Sequence, residues 1–471
     1  MKKKIALAGY PVEYFKHFAD HLEICGYEVY WICARSSDAR LLRKLQVHDR
    51  QILDTTEDLS FQTMPLSEAQ ARAAAWEIQG EPTVYDIILM DRILSKKSPD
   101  FAIRYMGHIG AVIADFLRRN NIAFVTSWRD TALQLMTMLV CKKCDIRYVI
   151  PTRVRIPQEM YMFCTSHHTG DVVEIRMSSD ADRQWAQQFL KEFRSIGVKP
   201  ALKRAPRNFS DAIKMLPSHV EAFSYEAKRA FADRQNDFTR YKLYHLIRMF
   251  VAEKINMAIY KAYNPATTTF PHEPFALFAL HTQPESSIDV VGSFFSDQIW
   301  LVKTMARSLP ATHRLYVKVH PTDVDGKRLS FYRALKQIPG VRLIDYTVST
   351  RNLLQASDFV FALTGTIAYE AALLSKPVIA LAKNFFNPLP CIRFCDTPTL
   401  LPFVVQEVLA STSKSVENGQ DEVEFLARIR ASSYNGEVSR FHLGQTVCLT
   451  PEDLSQIVRA YDDLFKLWKV S

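Results

Sequence analysis

The chain has 471 residues, of which 48% are hydrophobic and 23% are charged, and its formal net charge is +9. This length is too great for one ordinary hydrophobic core, so we expect two domains, and the composition is that of a globular protein. No apolar run approaches the roughly 20 residues of a membrane-spanning helix, and the apolar stretch behind the N-terminal lysines is too short for a secretion signal, so we expect a cytoplasmic protein.

The excess of positive charge is compatible with nucleic acid, an anionic membrane face or a phosphorylated substrate. Because the sequence has no aromatic-interleaved basic patch, helix-turn-helix or zinc-finger spacing, we expect no nucleic-acid partner. The eight cysteines are scattered, mostly within apolar segments, where a reduced core thiol is the ordinary interpretation. Cys141 and Cys144 form the one C-x-x-C pair, and without a second pair we expect no metal or redox site there.

The chain opens with the strand, helix and strand that begin a Rossmann-like domain. Gly9 alone falls short of a dinucleotide-binding glycine motif, so an NAD or FAD site is not expected. The strands predicted in this half are 4–8, 28–34, 86–90, 123–126 and 146–149. The helices predicted between them are 12–25, 106–118 and 130–141.

The character of the sequence changes between about 180 and 264. Residues 218–264 contain neither Gly nor Pro, and their large apolar residues recur at helical spacing, which predicts one or two long helices. Three prolines within 264–274 then predict a linker. We therefore divide the chain into an N-terminal domain (1–265) that includes the helical segment (about 180–264), a linker (266–275), a C-terminal domain (276–448) and a last helix (449–471).

In the second half, short apolar blocks alternate with helical patterns, which predicts a parallel sheet buried on both faces. The predicted strands are 275–280, 315–319, 359–363 and 377–381. The predicted helices are 297–309, 366–374 and 399–409. Ligands of such sheets bind beyond the carboxyl ends of the strands, so the polar segments 281–287, 317–323 and 363–370 should form one site.

The end of the chain is predicted to be a polar surface loop at 411–422 and a final helix. A capping box at 450–453, with Pro451 at the first helical position, marks the start of that helix. Its apolar face runs from Leu454 to Trp468 and needs a partner. We expect it to dock on the N-terminal domain rather than to lie on a membrane.

Lys318 and His320 occupy alternate positions at one strand end, so both should point to the same side. There they could meet the charge that develops on the phosphate of a nucleotide leaving group. Pro321 would fix the turn that aims the histidine. A buried histidine that merely closes the strand is the alternative.

Thr364, Gly365 and Thr366 lie between a predicted strand and the start of the next helix. Backbone amides and hydroxyls at a helix start bind anions, and Gly365 would let a phosphate approach closely. Simple N-capping by one of the threonines is the alternative, and both can hold at once. Glu370, one turn into the helix, could accept hydrogen bonds from a ribose or be a packing or solvated glutamate.

Glu285 is the carboxylate best placed for chemistry, because it follows a buried strand and Pro284. It could act as a general base on an acceptor hydroxyl or attack a sugar as a nucleophile. His281 and Gln283 are candidate hydrogen-bonding groups of the donor site, or groups that stabilise the loop. The Asp-x-Asp at 323–325 lies in a turn, so we expect neither a metal nor a cofactor.

A series of short motifs resembles the bacterial capsule polysaccharide biosynthesis proteins that include the β-Kdo transferases: 280–287, Gly292, 295–298, 309–310 and 316–321. The later motifs 364–366, 369–371 and 375–379 fit the same pattern. The resemblance is close over about 110 residues and loose in the N-terminal half, where it rests on 146–157 with its Arg-Ile-Pro segment at 155–157. It implies a GT-B architecture, in which two Rossmann-like α/β domains face a cleft, with a helical insertion and a C-terminal helix that crosses back. It also implies an aspartate nucleophile in or just after the first stretch, where this chain has Ser286 and Ser287, which we count among the donor-binding candidates.

These features predict a glycosyltransferase of surface polysaccharide (capsule or lipopolysaccharide) assembly. The C-terminal domain would bind a nucleotide sugar, with CMP-Kdo or another CMP-activated acidic sugar as the first candidate. The N-terminal domain would bind a glycan or lipid-linked glycan acceptor, and positive charge would favour peripheral association with the inner face of the membrane. Two alternatives stay open: a sialyl- or polyol-phosphate transferase of similar fold, and a non-catalytic scaffold of a synthesis or export complex.

Overall fold

The computed structural model describes residues 3–127, 130–157, 160–196, 242–320, 326–411, 419–436 and 451–469, together with 224, 227, 228, 231 and 324. The fold class expected from the sequence is confirmed, since the described strands form two sheets rich in parallel pairs, one of seven strands and one of six. The strands are β1 (Lys3–Ala8), β2 (Tyr27–Cys33), β3 (Ile52–Asp54), β4 (Phe124–Ser127), β5 (Arg147–Arg153), β6 (Met160–Cys164), β7 (Phe275–Ala279), β8 (Arg314–Lys318), β9 (Val341–Ile344), β10 (Phe359–Ala362), β11 (Val378–Ala380), β12 (Ile392–Phe394) and β13 (Ser433–Asn435). The helices are α1 (Val12–Ile24), α2 (Ser36–Lys44), α3 (Leu66–Ala74), α4 (Val84–Met90), α5 (Pro99–Arg119), α6 (Ala132–Lys143), α7 (Asp180–Ile196), α8 (Leu243–Tyr263), α9 (Ser286–Asp289), α10 (Gln298–Ser308), α11 (Leu329–Lys336), α12 (Thr350–Ala356), α13 (Thr366–Leu373), α14 (Leu401–Ser411), α15 (Gln420–Ala431) and α16 (Pro451–Leu467).

The first sheet has the strand order β13-β6-β5-β4-β1-β2-β3. The five strands β5, β4, β1, β2 and β3 pair in parallel. At the other edge of the sheet, β6 pairs antiparallel with β5, and β13 pairs antiparallel with β6. Ile5 to Ala8 of β1 are fully buried because the sheet is covered on both faces, which is why this strand has a continuous apolar sequence rather than an alternating one. The parallel part has the Rossmann order, in agreement with the strand, helix and strand pattern at the start of the chain.

The second sheet has the order β12-β11-β10-β7-β8-β9, and every pair in it is parallel. From β7 the chain proceeds to β8 and β9 on one side, then returns to β10 on the other side. The strand order therefore reverses between β7 and β10. In sheets of this kind a crevice opens at that point, beyond the carboxyl ends of the two strands.

Residues 86–90, predicted to be a strand, instead belong to α4. Thr83 caps this helix: its side chain accepts a hydrogen bond from the backbone N–H of Asp86, whose carboxylate in turn accepts one from the Thr83 N–H. Val84, Ile87 and Ile88 are buried on one side. An apolar run of this length fits either a buried strand or a buried helix, and the capping box decides for the helix.

Two elements pack with a different sheet from the one that the predicted domain boundaries imply. Helix α7, assigned from the sequence to the N-terminal half, packs Leu190 and Phe193 into the core around the second sheet, close to Leu373. Before residue 449 is reached, β13 has already joined the first sheet through β6. Residues 420–422, predicted as loop, begin α15, while 412–418 and the predicted helix cap at 450 lie outside the described residues.

The last helix, α16, packs on the first sheet, as its apolar face predicts. Tyr461, Leu464 and Phe465 are buried in one cluster with Ile5 and Phe124. The hydroxyl oxygens of Tyr461 and Thr126 lie 2.9 Å apart, so the polar end of the buried tyrosine is hydrogen-bonded. The C-terminus of the described chain thus closes over the domain with which the chain begins.

Within the segment predicted as helical from about 180 to 264, the structure describes α7 and α8, and most of 197–241 lies outside the described residues. Asn264 ends α8 in the left-handed conformation. The proline-rich linker then runs beside β9, since the Thr267 N–H donates to the Leu343 carbonyl and the Asp345 N–H donates to the Thr267 carbonyl. Among the described helices, none has both the length and the apolar content that are needed to cross a bilayer.

Candidate functional site at the reversal point of the second sheet

The loops that follow β7 and β10 meet at the point where the strand order of the second sheet reverses. Gly365, between β10 and α13, has φ +111, and a Cβ built there would lie 3.5 Å from Cε1 of His281, which follows β7. The Thr364 hydroxyl donates a 2.9 Å hydrogen bond to the Ser287 carbonyl. Two of the three predicted segments are therefore in direct contact.

The third segment joins them at the end of β8. Thr282 Oγ1 lies 2.9 Å from Nδ1 of His320, which fixes the orientation of the imidazole. Pro321, predicted to aim this histidine, lies outside the described residues, as does the Asp-x-Asp turn apart from Val324. The topology thus brings together His281, His320 and Gly365, which are far apart in the sequence.

Burial keeps both histidines uncharged at neutral pH. Burial, and then the nearby His320 and Arg155, lower the pKa of His281 to about 3. Burial, and then Lys318, lower the pKa of His320 to about 4. A phosphate placed between them would favour the protonated imidazoles and raise both pKa values, so the pair could neutralise charge that appears on a leaving group.

Lys318 is near His320 but its ammonium group is engaged elsewhere. Lys318 Nζ donates to the backbone carbonyls of Tyr346, at 2.8 Å, and Asp345, at 3.4 Å, at the end of the neighbouring strand β9. Only 5% of the residue is exposed, and burial lowers the pKa of this amine to about 8, with Asp345 opposing. The Lys318 ammonium therefore holds the backbone after β9, a structural role that the alternation of side chains along a strand did not predict.

Gln298 at the start of α10 holds the loop after β7. Its side chain forms a reciprocal pair of hydrogen bonds with the backbone of His281, with distances of 2.8 Å and 3.0 Å. Gln283 donates through Nε2 to Asp289 Oδ1 at 2.9 Å and to the Ser296 carbonyl at 3.2 Å, while Lys327 donates to its Oε1 at 3.2 Å. Of the two roles considered for Gln283, the structure shows the loop-stabilising one.

Glu285 is half-buried and immediately precedes α9. Its backbone N–H donates to Asp289 Oδ2 at 2.9 Å, so Asp289 fixes the loop that carries Glu285. Ser286 is the first residue of that short helix. The Ser287 hydroxyl is buried without a hydrogen-bond partner, an unsatisfied group beside the Thr364 contact.

Thr366 and Glu370 belong to α13, the helix that begins beside His281. Gly365 is the N-cap of this helix and supplies no side chain, so the threonine capping considered as an alternative is not observed. Glu370 is half-buried, and burial raises the pKa of its carboxyl to about 7, while Arg351 opposes the shift. A carboxyl group in this state can accept or donate hydrogen bonds, which suits recognition of a hydroxyl.

Besides Thr282 and Gln298, residues outside the predicted list that contribute to the site are Asp289, Arg92 and Arg155. Asp289 lies 3.6 Å from Nε of Arg92, which also pairs with Asp130 in the first half at 3.3 Å and 3.4 Å. Arg155, after β5, is exposed, and its charge acts on His281. The family-like stretch 155–157 pointed towards Arg155, but no sequence signal assigned it to this site, and none pointed to Arg92.

The described residues contain no group of three or more His, Cys, Asp or Glu side chains arranged to hold a metal ion. Cationic side chains near the reversal point include Arg92 and Arg155, and Lys318 and Lys327 contact the loops beside it. The start of α13 lies beside His281, and helix N-termini are positions at which anions bind. Fold and site together define a two-sheet α/β protein in which the loops at the carboxyl edge of the second sheet meet where its strand order reverses, the place at which ligands bind in sheets of this kind.

Residues 184–389 match the model of a family described as capsule polysaccharide biosynthesis protein. The match takes in less than half of the chain and includes all three segments of the site, so the family resemblance seen in the sequence is confirmed over this region. No curated protein matches the chain at a significant level.

Several solved structures resemble the chain distantly. The β-Kdo 2,4-transferase KpsC of Thermosulfurimonas dismutans is 11% identical, with 65% of this chain and 79% of that chain covered and a TM-score of 0.37. The corresponding β-Kdo 2,7-transferase is 9% identical, with coverages of 67% and 80% and a TM-score of 0.35. The UDP-GlcNAc 2-epimerase of Methanocaldococcus jannaschii is 15% identical, with coverages of 91% and 99% and a TM-score of 0.26.

Proposed function

We propose that the chain is a glycosyltransferase of surface polysaccharide assembly that binds the phosphate of a nucleotide sugar at the start of α13. The observation that carries this proposal is the meeting of His281, His320 and Gly365 at the reversal point of the second sheet. A helix N-terminus attracts anions, and the absence of a side chain on Gly365 leaves its backbone accessible to a phosphate. The match to the capsule polysaccharide family supports the same function.

The chemistry divides between the leaving group and the acceptor. His281 and His320 would donate hydrogen bonds or protons to the phosphate as the bond between the anomeric carbon and the phosphate oxygen breaks. Glu285 would act on the other side of the sugar. As a general base it takes the proton of the acceptor hydroxyl and the anomeric configuration inverts, whereas as a nucleophile it forms a glycosyl-enzyme and the configuration is retained. The anomeric configuration of the product distinguishes the two.

The donor we propose first is a CMP-activated acidic sugar such as CMP-Kdo. Support comes from Arg155, whose exposed guanidinium could bind the carboxylate of such a sugar beside His281. The acceptor would be a glycan or a lipid-linked glycan on the cytoplasmic side of the membrane, bound by the first half of the chain. The transfer would need no metal, because the histidines and the helix terminus take the place of a cation. Ser286, Ser287, Thr364, Thr366 and Glu370 are proposed to line the donor site.

The test is incubation of the purified chain with CMP-Kdo, CMP-sialic acid, UDP-sugars and a CDP-polyol, each with and without a glycan acceptor and EDTA. We expect nucleotide release that depends on the acceptor and is unaffected by EDTA. His320→Ala should weaken nucleotide binding about tenfold or more, because a hydrogen bond to a charged group is lost. Glu285→Ala should leave binding intact and abolish release.

The alternatives give different results in the same assay. Release from CMP-sialic acid or the CDP-polyol alone would identify the related transferases of similar fold. A scaffold would show no change of melting temperature with any nucleotide, and His320→Ala would then affect stability only. Measured nucleotide binding together with loss of release in Glu285→Ala excludes the scaffold.

A further inference from the structure

Helix α8 (Leu243–Tyr263) presents an apolar face to the outside along its whole length. Its exposed large apolar side chains recur every three or four residues, so they lie on one side of the helix. They are Tyr244, Ile247, Val251, Ile255, Ile259 and Tyr263, which are between 39% and 60% exposed. Ala252, Ala258 and Ala262 are exposed as well. An apolar surface of this extent marks an interaction site.

Basic groups border this apolar face at both ends. Arg248 lies within the face, and Lys242 and Lys261 are exposed at the two ends of the helix. Near the C-terminal end, the Arg333 guanidinium lies 5.1 Å and the Lys336 ammonium 5.9 Å from the centre of the Tyr263 ring.

The N-terminal end of α8 lies in a basic neighbourhood. His245 there is surrounded by the positive charges of Arg248, Lys96, Lys97 and Lys242, which, after burial, lower its pKa. At 100° per residue, Glu253, the one acidic residue of α8, falls on the side opposite to the exposed apolar face. Basic side chains therefore lie at both ends of the face, and the one acidic residue of the helix lies away from it.

The stretch of sequence around this helix carries most of the net positive charge of the protein. Residues 197–263 contain 13 Lys and Arg and 6 Asp and Glu, which is a net charge of +7 out of the +9 of the whole chain. Such an asymmetry indicates an anionic partner for this part of the chain.

We infer that the exposed face of α8 docks on an anionic lipid bilayer, with the helix lying in the plane of the surface. An apolar stripe that enters the acyl boundary and basic side chains that meet anionic headgroups are the two features of helices that bind in this way. A second copy of the chain is a poorer partner, since a two-fold contact between these helices would bring their basic ends together. The inference does not depend on the transferase assignment.

The test is co-sedimentation of the full chain with vesicles of phosphatidylcholine alone or with about 30% phosphatidylglycerol. We expect binding to the anionic vesicles, at least tenfold weaker binding to phosphatidylcholine alone, and release by salt. The double variant Ile247→Gln, Ile255→Gln removes apolar surface without changing charge and should weaken binding about tenfold or more. Its matched control is Leu89→Gln with Phe403→Gln, which are 72% and 65% exposed on other parts of the surface.

Several results would overturn the inference. One is a wild-type chain that stays in the supernatant with anionic vesicles, and another is an α8 variant that sediments as the wild type does. An equal loss of vesicle binding in the Leu89→Gln, Phe403→Gln control would show that exposed apolar side chains promote binding wherever they lie on the surface. A dimer in light scattering that becomes a monomer in the α8 variant, without vesicle binding by either, would assign the face to a second copy. A melting curve of each variant confirms that it is folded.

Discussion

Substituting Gly365 by alanine tests the central feature of the proposed site. Gly365 has φ +111 and ψ 159, a conformation open in practice only to glycine, so an alanine there should cost of the order of 1–3 kcal/mol of folding free energy. The new Cβ would lie 3.5 Å from His281 Cε1, which is ordinary van der Waals contact, so no clash adds to this cost. The same methyl group would occupy the approach to the backbone at the start of α13.

The expected effect of Gly365→Ala on ligand binding is therefore separate from its effect on stability. Losing a hydrogen bond to a charged phosphate costs about 1.5–3 kcal/mol, which is about a tenfold to hundredfold loss of nucleotide affinity. Gly340→Ala is the matched control, because Gly340 also has positive φ (+80), lies in the second half and has open space around its Cβ position. It should lose about 1–2 kcal/mol of stability and no affinity.

Urea unfolding and titration calorimetry with the active nucleotide measure the two quantities for both glycine variants. The proposed phosphate position would be refuted if Gly365→Ala bound nucleotide as the wild type does. It would also be refuted if Gly340→Ala lost as much affinity, since the loss would then follow from backbone strain rather than from the position beside His281. A stability loss in both variants with an affinity loss in only one is the expected pattern.

The second sheet and its three loops could be predicted from the sequence because local and long-range constraints agree there. Phe275–Ala279 and Phe359–Ala362 are short apolar runs that alternate with helical patterns, which favours strands buried on both faces. Asp297 caps the helix after the first of them by accepting from the N–H groups of Ile299 and Trp300. When the strands are parallel, the segments that follow them in the chain must all lie at the carboxyl edge of the sheet. The contacts between Thr282 and His320 and between Thr364 and Ser287 follow from that constraint.

The individual partners could not be predicted in the same way. Alternation along β8 gives the side on which Lys318 lies, but the carbonyls at the end of β9 compete for its ammonium, and their position depends on the register between two strands. Residues 86–90 became a helix through a capping interaction that an apolar run does not reveal. Arg92 and Arg155 come from the first half of the chain, and no rule of sheet topology specifies which side chains of one domain reach the loops of another.

Lowering the pH from 6.5 towards 4 should destabilise the fold, because the unfolded chain protonates its histidines near 6.5 while folded His281 and His320 have pKa values of about 3 and about 4. Each histidine costs about 2 kcal/mol at pH 5, and urea midpoints at pH 7 and pH 5 should show a smaller difference for His320→Gln than for the wild type. Leu464→Ala should lower the free energy of unfolding by about 2–5 kcal/mol, because this fully buried side chain anchors α16 to the first sheet. In the same urea assay, Leu467→Ala should lower it much less, because Leu467 is 42% exposed. Asp289→Asn should lower turnover about tenfold or more while nucleotide affinity is retained, because the carboxylate fixes the Glu285 N–H and pairs with Arg92 of the first half. Wild-type turnover in that variant would mean that the reaction does not depend on how this loop is held, and the assignment of the chemistry to Glu285 would fail with it.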